Sequence, residues 1–202
     1  MGYIAIVDYG VGNLKSVSNA LSYLGLSSRV TDEAGEIEMA DSVILPGVGA
    51  FPDAFERLKR SGLDRILVDQ AQRKPILGIC LGMQLLFSEG WEVRRCDGLG
   101  LIPGKVDRIR TQYKLPHIGW NSLLLQGESP LFAGVEQNSS VYFVHSFCGL
   151  ADDPAHVIAQ TEYGPAVTAA VQNGCVFGTQ FHPEKSGEVG LQILKNFGVM
   201  CR

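Results

Sequence analysis

Two short stretches carry side chains able to do covalent chemistry on a carbonyl. Gly78-Ile79-Cys80-Leu81-Gly82 sets a cysteine between two glycines. Glycine, any residue, nucleophile, any residue, glycine is the pattern of a nucleophile elbow, a strained turn from strand to helix. Such a turn tolerates only small residues two positions either side. It holds the nucleophile clear at the C-terminal end of its strand, where α/β sheets place ligands. The start of the following helix, with its partial positive charge, favours a thiolate there. Far along the chain, Gln180-Phe181-His182-Pro183-Glu184 supplies the partners. His182 can take and return a proton, and Glu184 can accept from its imidazole and fix the tautomer. Pro183 stiffens the link between them. Alone, Cys80 reads as a core thiol and His182–Glu184 as a surface pair. Together they read as nucleophile, base and orienting acid for acyl transfer through a thioester.

Thiolate attack on a carbonyl creates an oxyanion, which needs N–H donors. The amide of Leu81, next after the nucleophile, is one. Pro46-Gly47-Val48-Gly49 is a glycine-rich strand end that can bring a second, from Val48.

These pieces need strand ends that converge. Buried apolar strands are expected over residues 3–7, 42–45 and 75–79. Leu14, Val17, Leu21 and Leu24 recur at helical spacing after the first, and Gly25 stops that helix. Phe55, Leu58, Leu63, Ile66 and Leu67 mark helical pieces up to Arg73, and a further helix is expected over 82–87. The second half reads as strands over 106–109, 122–125, 141–147, 156–161, 166–172 and 175–181, then a helix over 186–200. Asn173-Gly174 signals a hairpin between two of these strands. The order predicts a mainly parallel sheet with helices on both faces, and antiparallel strands that extend its edge or form a second small sheet. No repeat, low-complexity segment or linker divides residues 1–202, so one domain is expected.

Composition narrows the classes. The chain has 202 residues, 46% of them hydrophobic and 19% charged, as in soluble globular proteins. A net charge of −4 argues against nucleic acid or an anionic membrane surface as partner. No signal peptide pattern opens the chain, and the apolar stretch 76–87 is too short to span a bilayer. Five cysteines, widely spaced and without a CxxC, suit reduced thiols and a cytoplasmic setting rather than disulfides or zinc. Gly10-Val11-Gly12 lacks the third glycine of a dinucleotide fingerprint, Lys15 standing in its place, and no cofactor is expected. His117 and His145 have no neighbouring ligand pair, so they read as structural histidines and no metal is expected. His156 is expected to face solvent. The four cysteines besides Cys80 read as core or surface thiols, Cys201 as an exposed one.

Gly78-Ile79-Cys80-Leu81-Gly82-Met83-Gln84, with Pro46-Gly47-Val48-Gly49 before it and Gln180-Phe181-His182-Pro183-Glu184 after it, resembles the class I (triad) glutamine amidotransferases. Asp8-Tyr9-Gly10-Val11-Gly12-Asn13-Leu14, Pro116-His117-Ile118-Gly119-Trp120-Asn121, Tyr142-Phe143-Val144-His145-Ser146 and His182-Pro183-Glu184-Lys185-Ser186 narrow this to a likeness to the glutaminase subunits of imidazole glycerol phosphate synthases. The likeness covers nearly the whole chain in order. Its departures are Val11, Ile118, Phe147-Cys148 and the less acidic stretch Glu89-Gly90-Trp91-Glu92.

The resemblance implies a flavodoxin-like class I glutamine amidotransferase fold. It implies that Cys80 attacks the side-chain amide of glutamine, that His182 relays protons and that Glu184 orients it. Val48 and Leu81 would supply the oxyanion amides. Gly49, Gln84, Glu92, Ser146 and Phe147 would hold glutamine. The implied partner is a (β/α)8-barrel cyclase that receives ammonia through a sheltered channel, docking against Asn13, Trp120, Tyr142 and Lys185. A chain this long leaves no room for an acceptor domain of its own. In this family the glutaminase is nearly silent until the partner binds substrate, and rotation of one peptide in Pro46–Gly49 would suit such a switch. Three other readings remain open at this point. They are a paralogue feeding another synthase (surface-sugar amidation, for example), a stand-alone γ-glutamyl hydrolase, and a silent regulatory subunit.

Overall fold

A computed structural model describes residues 2–200. Its first half alternates β1 (Ile4–Val7), α1 (Leu14–Tyr23), β2 (Ser28–Thr31), α2 (Ala34–Met39), β3 (Ser42–Gly47), α3 (Phe51–Ser61), α4 (Leu63–Gln70), β4 (Ile76–Cys80) and α5 (Leu81–Leu85). Then come β5 (Phe87–Gly90), β6 (Cys96–Asp97), β7 (Ile102–Arg108), β8 (His117–Ser122), β9 (Leu124–Leu125), β10 (Ser140–His145), β11 (Phe147–Ala151), β12 (Val157–Glu162), β13 (Ala166–Asn173), β14 (Val176–Thr179) and α6 (Gly187–Val199).

The main sheet runs β2-β1-β3-β4-β14-β13-β12-β9. Its pairings from β2 to β14 are parallel, and β13, β12 and β9 continue antiparallel. Alternation along the central strands splits their side chains between two cores. Ala5, Val7, Val43, Leu45 and Ile76 pack with Ile37, Phe51, Phe55, Leu58 and Leu67 of α2, α3 and α4. Ile4, Ile6, Ile44, Leu77 and Ile79 pack with Val17 and Leu21 of α1 and Ile193, Leu194 and Phe197 of α6. Both faces are covered, which is why β1, β3 and β4 read as unbroken apolar runs. The hairpin at Asn173-Gly174 joins β13 to β14, with Gly174 at φ 56. The antiparallel strands do both things expected of them, because β8–β10 and β11-β7-β5-β6 form two further sheets.

Several boundaries differ from the sequence expectation. The helix expected over 82–87 ends at Leu85, because fully buried Phe87 enters a strand that pairs with β7. The strand expected over 141–147 is two strands. β10 pairs with β8 and β11 with β7, and the Ser146 carbonyl between them accepts the Ile109 amide. The strand expected over 42–45 continues through Pro46 and Gly47, the Pro46 carbonyl being held by the Tyr9 hydroxyl at 2.8 Å. The strand expected over 122–125 is the end of β8 and the short β9. No helix among the described residues is long and apolar enough to cross a membrane.

Candidate active site

Sheet order brings the chemistry together. β4 lies between β3 and β14, with Gly47 opposite Cys80 on one side and Thr179 opposite Ile79 on the other. All three strands run parallel, so Cys80, the 46–49 segment and the 180–184 segment leave the sheet at one edge. Cys80 sits at φ 55, ψ −111, a conformation that L residues rarely adopt and the mark of an elbow. The flanking glycines are required by space. A Cβ on Gly82 would lie 1.7 Å from the Leu45 carbonyl oxygen, and one on Gly78 would lie 2.6 Å from that of Gly82. The helix that follows, α5, has five residues.

His182 follows β14 and is 2% exposed. Its Nδ1–H donates to Glu184 Oε1 at 2.8 Å, and both side chains are buried. The Ser186 hydroxyl donates to the His182 carbonyl at 2.6 Å and accepts from the Tyr142 amide at 3.0 Å, which pins the 182–186 turn to β10. Burial alone would depress the imidazole. Hydrogen bonding to Cys80 and Glu184, together with the charge of both, outweighs it and raises the pKa to about 9. In the resting geometry His182 Nε2 has no well-aligned hydrogen-bond partner among the described residues, and neither has Glu184 Oε2. The Cys80 sulfur lies instead 3.9 Å from the Val144 carbonyl and 3.8 Å from Gln180 Nε2. Sulfur and imidazole are nonetheless close enough to interact.

A cavity of about 340 Å³ opens over Cys80. Val48, Gly49, Leu81, Gln84, Glu92, Ser146, Phe147 and His182 all line it, so the structure brings together every residue expected to stabilise an oxyanion or hold glutamine. Glu184 lies behind His182. Gln84 Nε2 donates to the Phe147 carbonyl at 3.1 Å and to Gln180 Oε1 at 3.0 Å, so its amide nitrogen points into protein. Its Oε1 is left as the atom able to meet a ligand donor. Glu92 Oε2 accepts the Phe51 amide at 2.8 Å.

Three of the four residues expected at the partner surface form one patch. The Trp120 and Tyr142 rings meet edge-on at 6.1 Å, and Lys185 Nζ lies 6.0 Å over Tyr142. Asn13 heads α1, which packs against the 183–185 turn.

Other residues meet the site that sequence reasoning did not assign to it. Pro116, Val144 and His145 also line the cavity, and buried Gln180 contacts the sulfur. Gln180 belongs to the same motif as His182, so its position there was the available signal. His117 and His145 prove to be cross-strand partners, 3.1 Å apart. His156 corrects the expectation that it faces solvent: it is half-buried, and its Nδ1 is enclosed. Cys148 is buried, Cys96 half-buried and Cys175 exposed, all unpaired, while Cys201 lies outside the described residues. Among the described residues no cluster of three or more His, Cys, Asp and Glu could hold a metal ion.

Comparison with known proteins gives this geometry a family. The profile of "Glutamine amidotransferase class-I" matches residues 5–201. "Imidazole glycerol phosphate synthase subunit HisH" of Bacillus thuringiensis (strain Al Hakam) is 50% identical over 196 residues, which is 96% of this chain and 93% of that protein. The protein of the same name from Bacillus anthracis gives the same figures of 50%, 96% and 93%. Among solved structures, a putative GMP synthase component from Thermoplasma acidophilum superposes with a TM-score of 0.78 at 20% identity, over 100% of this chain and 94% of its own. PurLQS from Thermotoga maritima does so with a TM-score of 0.77 at 21% identity, over 97% of each chain. The distant structures share the fold and the close relatives share half the sequence: the chain belongs to the class I glutamine amidotransferases and, among them, to the HisH family.

Proposed function

We propose that this chain is the glutaminase subunit of an imidazole glycerol phosphate synthase and supplies ammonia for histidine biosynthesis. The observation that carries the chemistry is the strained, outward-held Cys80 beside a buried imidazole whose Nε2 is unspent and whose Nδ1 is tied to a carboxylate.

The steps follow from that arrangement. The Cys80 thiolate attacks Cδ of the glutamine side chain, and the carbonyl oxygen takes up negative charge between the amides of Val48 and Leu81. His182, protonated at Nε2, gives its proton to the amide nitrogen. The C–N bond breaks, ammonia leaves and a glutamyl thioester remains. Water then loses a proton to His182 and attacks the thioester, and glutamate departs as the thiolate re-forms. Glu184 keeps Nδ1–H pointed away throughout, so that Nε2 does the proton transfer. Gln84, Glu92, Gly49 and the Ser146–Phe147 backbone hold the α-amino and α-carboxyl groups of the substrate.

Ammonia in water is protonated near neutral pH and useless as a nucleophile, so an acceptor must dock over the site. The partner proposed is a (β/α)8-barrel cyclase, in the cytoplasm, seated on Asn13, Trp120, Tyr142 and Lys185. The deciding measurement is glutamate release by this chain, alone and with the cyclase plus its ribonucleotide substrate. A low rate alone and a large rise in the mixture is expected. A high rate unchanged by the cyclase would mean a stand-alone hydrolase.

A further inference from the structure

Two buried histidines outside the proposed triad are paired across the ribbon β8–β10, His117 at the start of β8 and His145 at the end of β10, and His145 lines the substrate cavity. His117 Nδ1 is 3.1 Å from His145 Nε2, and His145 Nδ1 is 2.8 Å from the Phe147 carbonyl oxygen. His117 Nε2 is 3.3 Å from Asn121 Nδ2. Every nitrogen of both rings is thereby used, and the direction of each bond is fixed by the next.

The outer end settles first. Asn121 Oδ1 accepts the Ser122 amide at 2.8 Å, and Asn121 Nδ2 donates to the Glu162 carbonyl at 2.8 Å. Only one orientation of that amide satisfies both, so it presents an N–H to His117, whose Nε2 must accept. His117 then carries its proton on Nδ1 and donates to His145 Nε2. His145 carries its own proton on Nδ1, as a carbonyl acceptor demands. A carbonyl at one end and an oriented amide at the other admit one proton arrangement, with both rings neutral. An added proton would set two N–H groups against each other.

The surroundings hold the rings still. His117 lies between Tyr163, ring centroids 4.0 Å apart, and Phe143 at 4.9 Å, both nearly parallel to it. Burial lowers the pKa of His117. Burial is also the main reason that His145 falls to about 4. The Phe147 carbonyl opposes that fall, while the His117 and His182 charges add to it. Those two histidines are the groups whose charge acts on His145, and Cys80 and Glu92 line the same cavity.

The inner end touches substrate recognition. The Phe147 carbonyl takes His145 Nδ1–H and Gln84 Nε2–H together, and Gln84 is thereby held with Oε1 toward the cavity. We infer that Asn121, His117 and His145 form a neutral, one-directional hydrogen-bond relay that positions the Phe147 carbonyl and Gln84 for glutamine, tying the cavity to the ribbon that carries Trp120. They are positioning residues and do not touch the reacting atoms. The inference rests on the glutaminase reading, since it needs glutamine as the ligand of that cavity.

Two measurements test it, one independent of activity. In the chain labelled with 15N-histidine, nitrogen shifts should show His117 and His145 as neutral Nδ1–H tautomers from pH 6 to 9. An Nε2–H tautomer for either, or titration of either within that range, overturns the relay whatever the protein's activity. In the complex with its cyclase, His117→Leu removes donor and acceptor, whereas His117→Gln keeps one of each. The expected result is a glutamine KM raised about tenfold in His117→Leu with kcat within about threefold, and recovery of most of that loss in His117→Gln. If His117→Leu will not fold, Asn121→Leu at the half-exposed end of the relay should raise KM in the same sense. An unchanged KM in a folded variant, or equal loss of kcat in both substitutions, overturns the positioning role. Failure of the wild-type complex to release glutamate would instead refute the glutaminase reading and leave the tautomer result standing.

Discussion

Glu92 Oε2 accepts the amide N–H of Phe51 at 2.8 Å, so a carboxylate that lines the cavity also caps α3. Ala50 precedes that helix and offers no side-chain cap of its own. The cap fixes the chain directly after Val48 and Gly49, where the second oxyanion amide is proposed. Glu92→Ala should therefore do two things. It should cost about 1 kcal/mol of stability, as loss of a helix cap does, and it should raise the glutamine KM. Glu92→Gln keeps an acceptor for Phe51 and should recover most of the stability but less of the KM, because the charge toward an α-ammonium is gone. Urea denaturation and steady-state kinetics with the partner present separate the two effects. If KM is unchanged in both variants, Glu92 is a cap alone.

The raised pKa of His182 makes stability depend on pH. Protonation is favoured more in the folded chain, at about 9, than in the unfolded chain, near the ordinary 6.5. The folded state therefore gains most below pH 6.5 and loses that gain as pH climbs toward 9. The span is worth roughly 3 kcal/mol by linkage. Unfolding free energies measured between pH 6 and 9.5 should fall over this window in the wild type, and the fall should be much smaller in His182→Gln. Glu184→Gln removes one of the groups that raise the imidazole, so its decline should still begin near pH 6.5 but end at lower pH and be smaller. Parallel profiles for all three proteins would show that the His182 charge is not linked to folding.

Cys80 is held at φ 55. A non-glycine residue in such a conformation costs about 1–3 kcal/mol. Cys80→Ala keeps a Cβ in that position and Cys80→Gly does not. Both should lose glutaminase activity, yet Cys80→Gly should be the more stable by about 1–3 kcal/mol. The sign is informative because glycine in place of alanine ordinarily destabilises. Equal unfolding midpoints would mean that the elbow stores no strain at the nucleophile.

The central strands and the two halves of the proposed triad were legible because each is local. An apolar run bounded by a glycine turn marks β1, β3 and β4, and the glycine–x–cysteine–x–glycine spacing marks the elbow. What was not legible is what depends on distant pairing. β2 is half-exposed and polar, so no apolar run announces it. α2 has six residues and one fully buried side chain, too little for a period. Phe87 reads equally well as the end of a helix or the start of a strand, and pairing with β7 decides it. His117 and His145 are 28 residues apart, and only the antiparallel register of β8 with β10 makes them neighbours. The cavity residues of the 146–147 corner were reached through family likeness. Their geometric cause, the chain leaving one sheet for another at Ser146, has no sequence signature.

Trp120 and Ile118 are each 59% exposed on the outer face of β8. Opposite them Tyr142 meets Trp120 edge-on, and Lys185 lies over Tyr142. Large apolar side chains on a two-stranded ribbon gain little from folding alone, because they stay in water. Tryptophan buried at the centre of an interface is the residue type that most often dominates binding. Trp120→Ala should therefore raise Kd for the cyclase at least tenfold, a loss of about 1.4 kcal/mol or more, while the unfolding midpoint of the isolated chain barely moves. Tyr23 is the matching control: it is 80% exposed and is the last residue of α1, at the opposite end of that helix from Asn13. Tyr23→Ala removes a comparable aromatic side chain and should leave Kd unchanged. Titration calorimetry of the three proteins against the cyclase gives the comparison directly. If Trp120→Ala binds as tightly as the wild type, the ribbon is not the docking face, and the relay behind it would have to serve the cavity without answering to the partner.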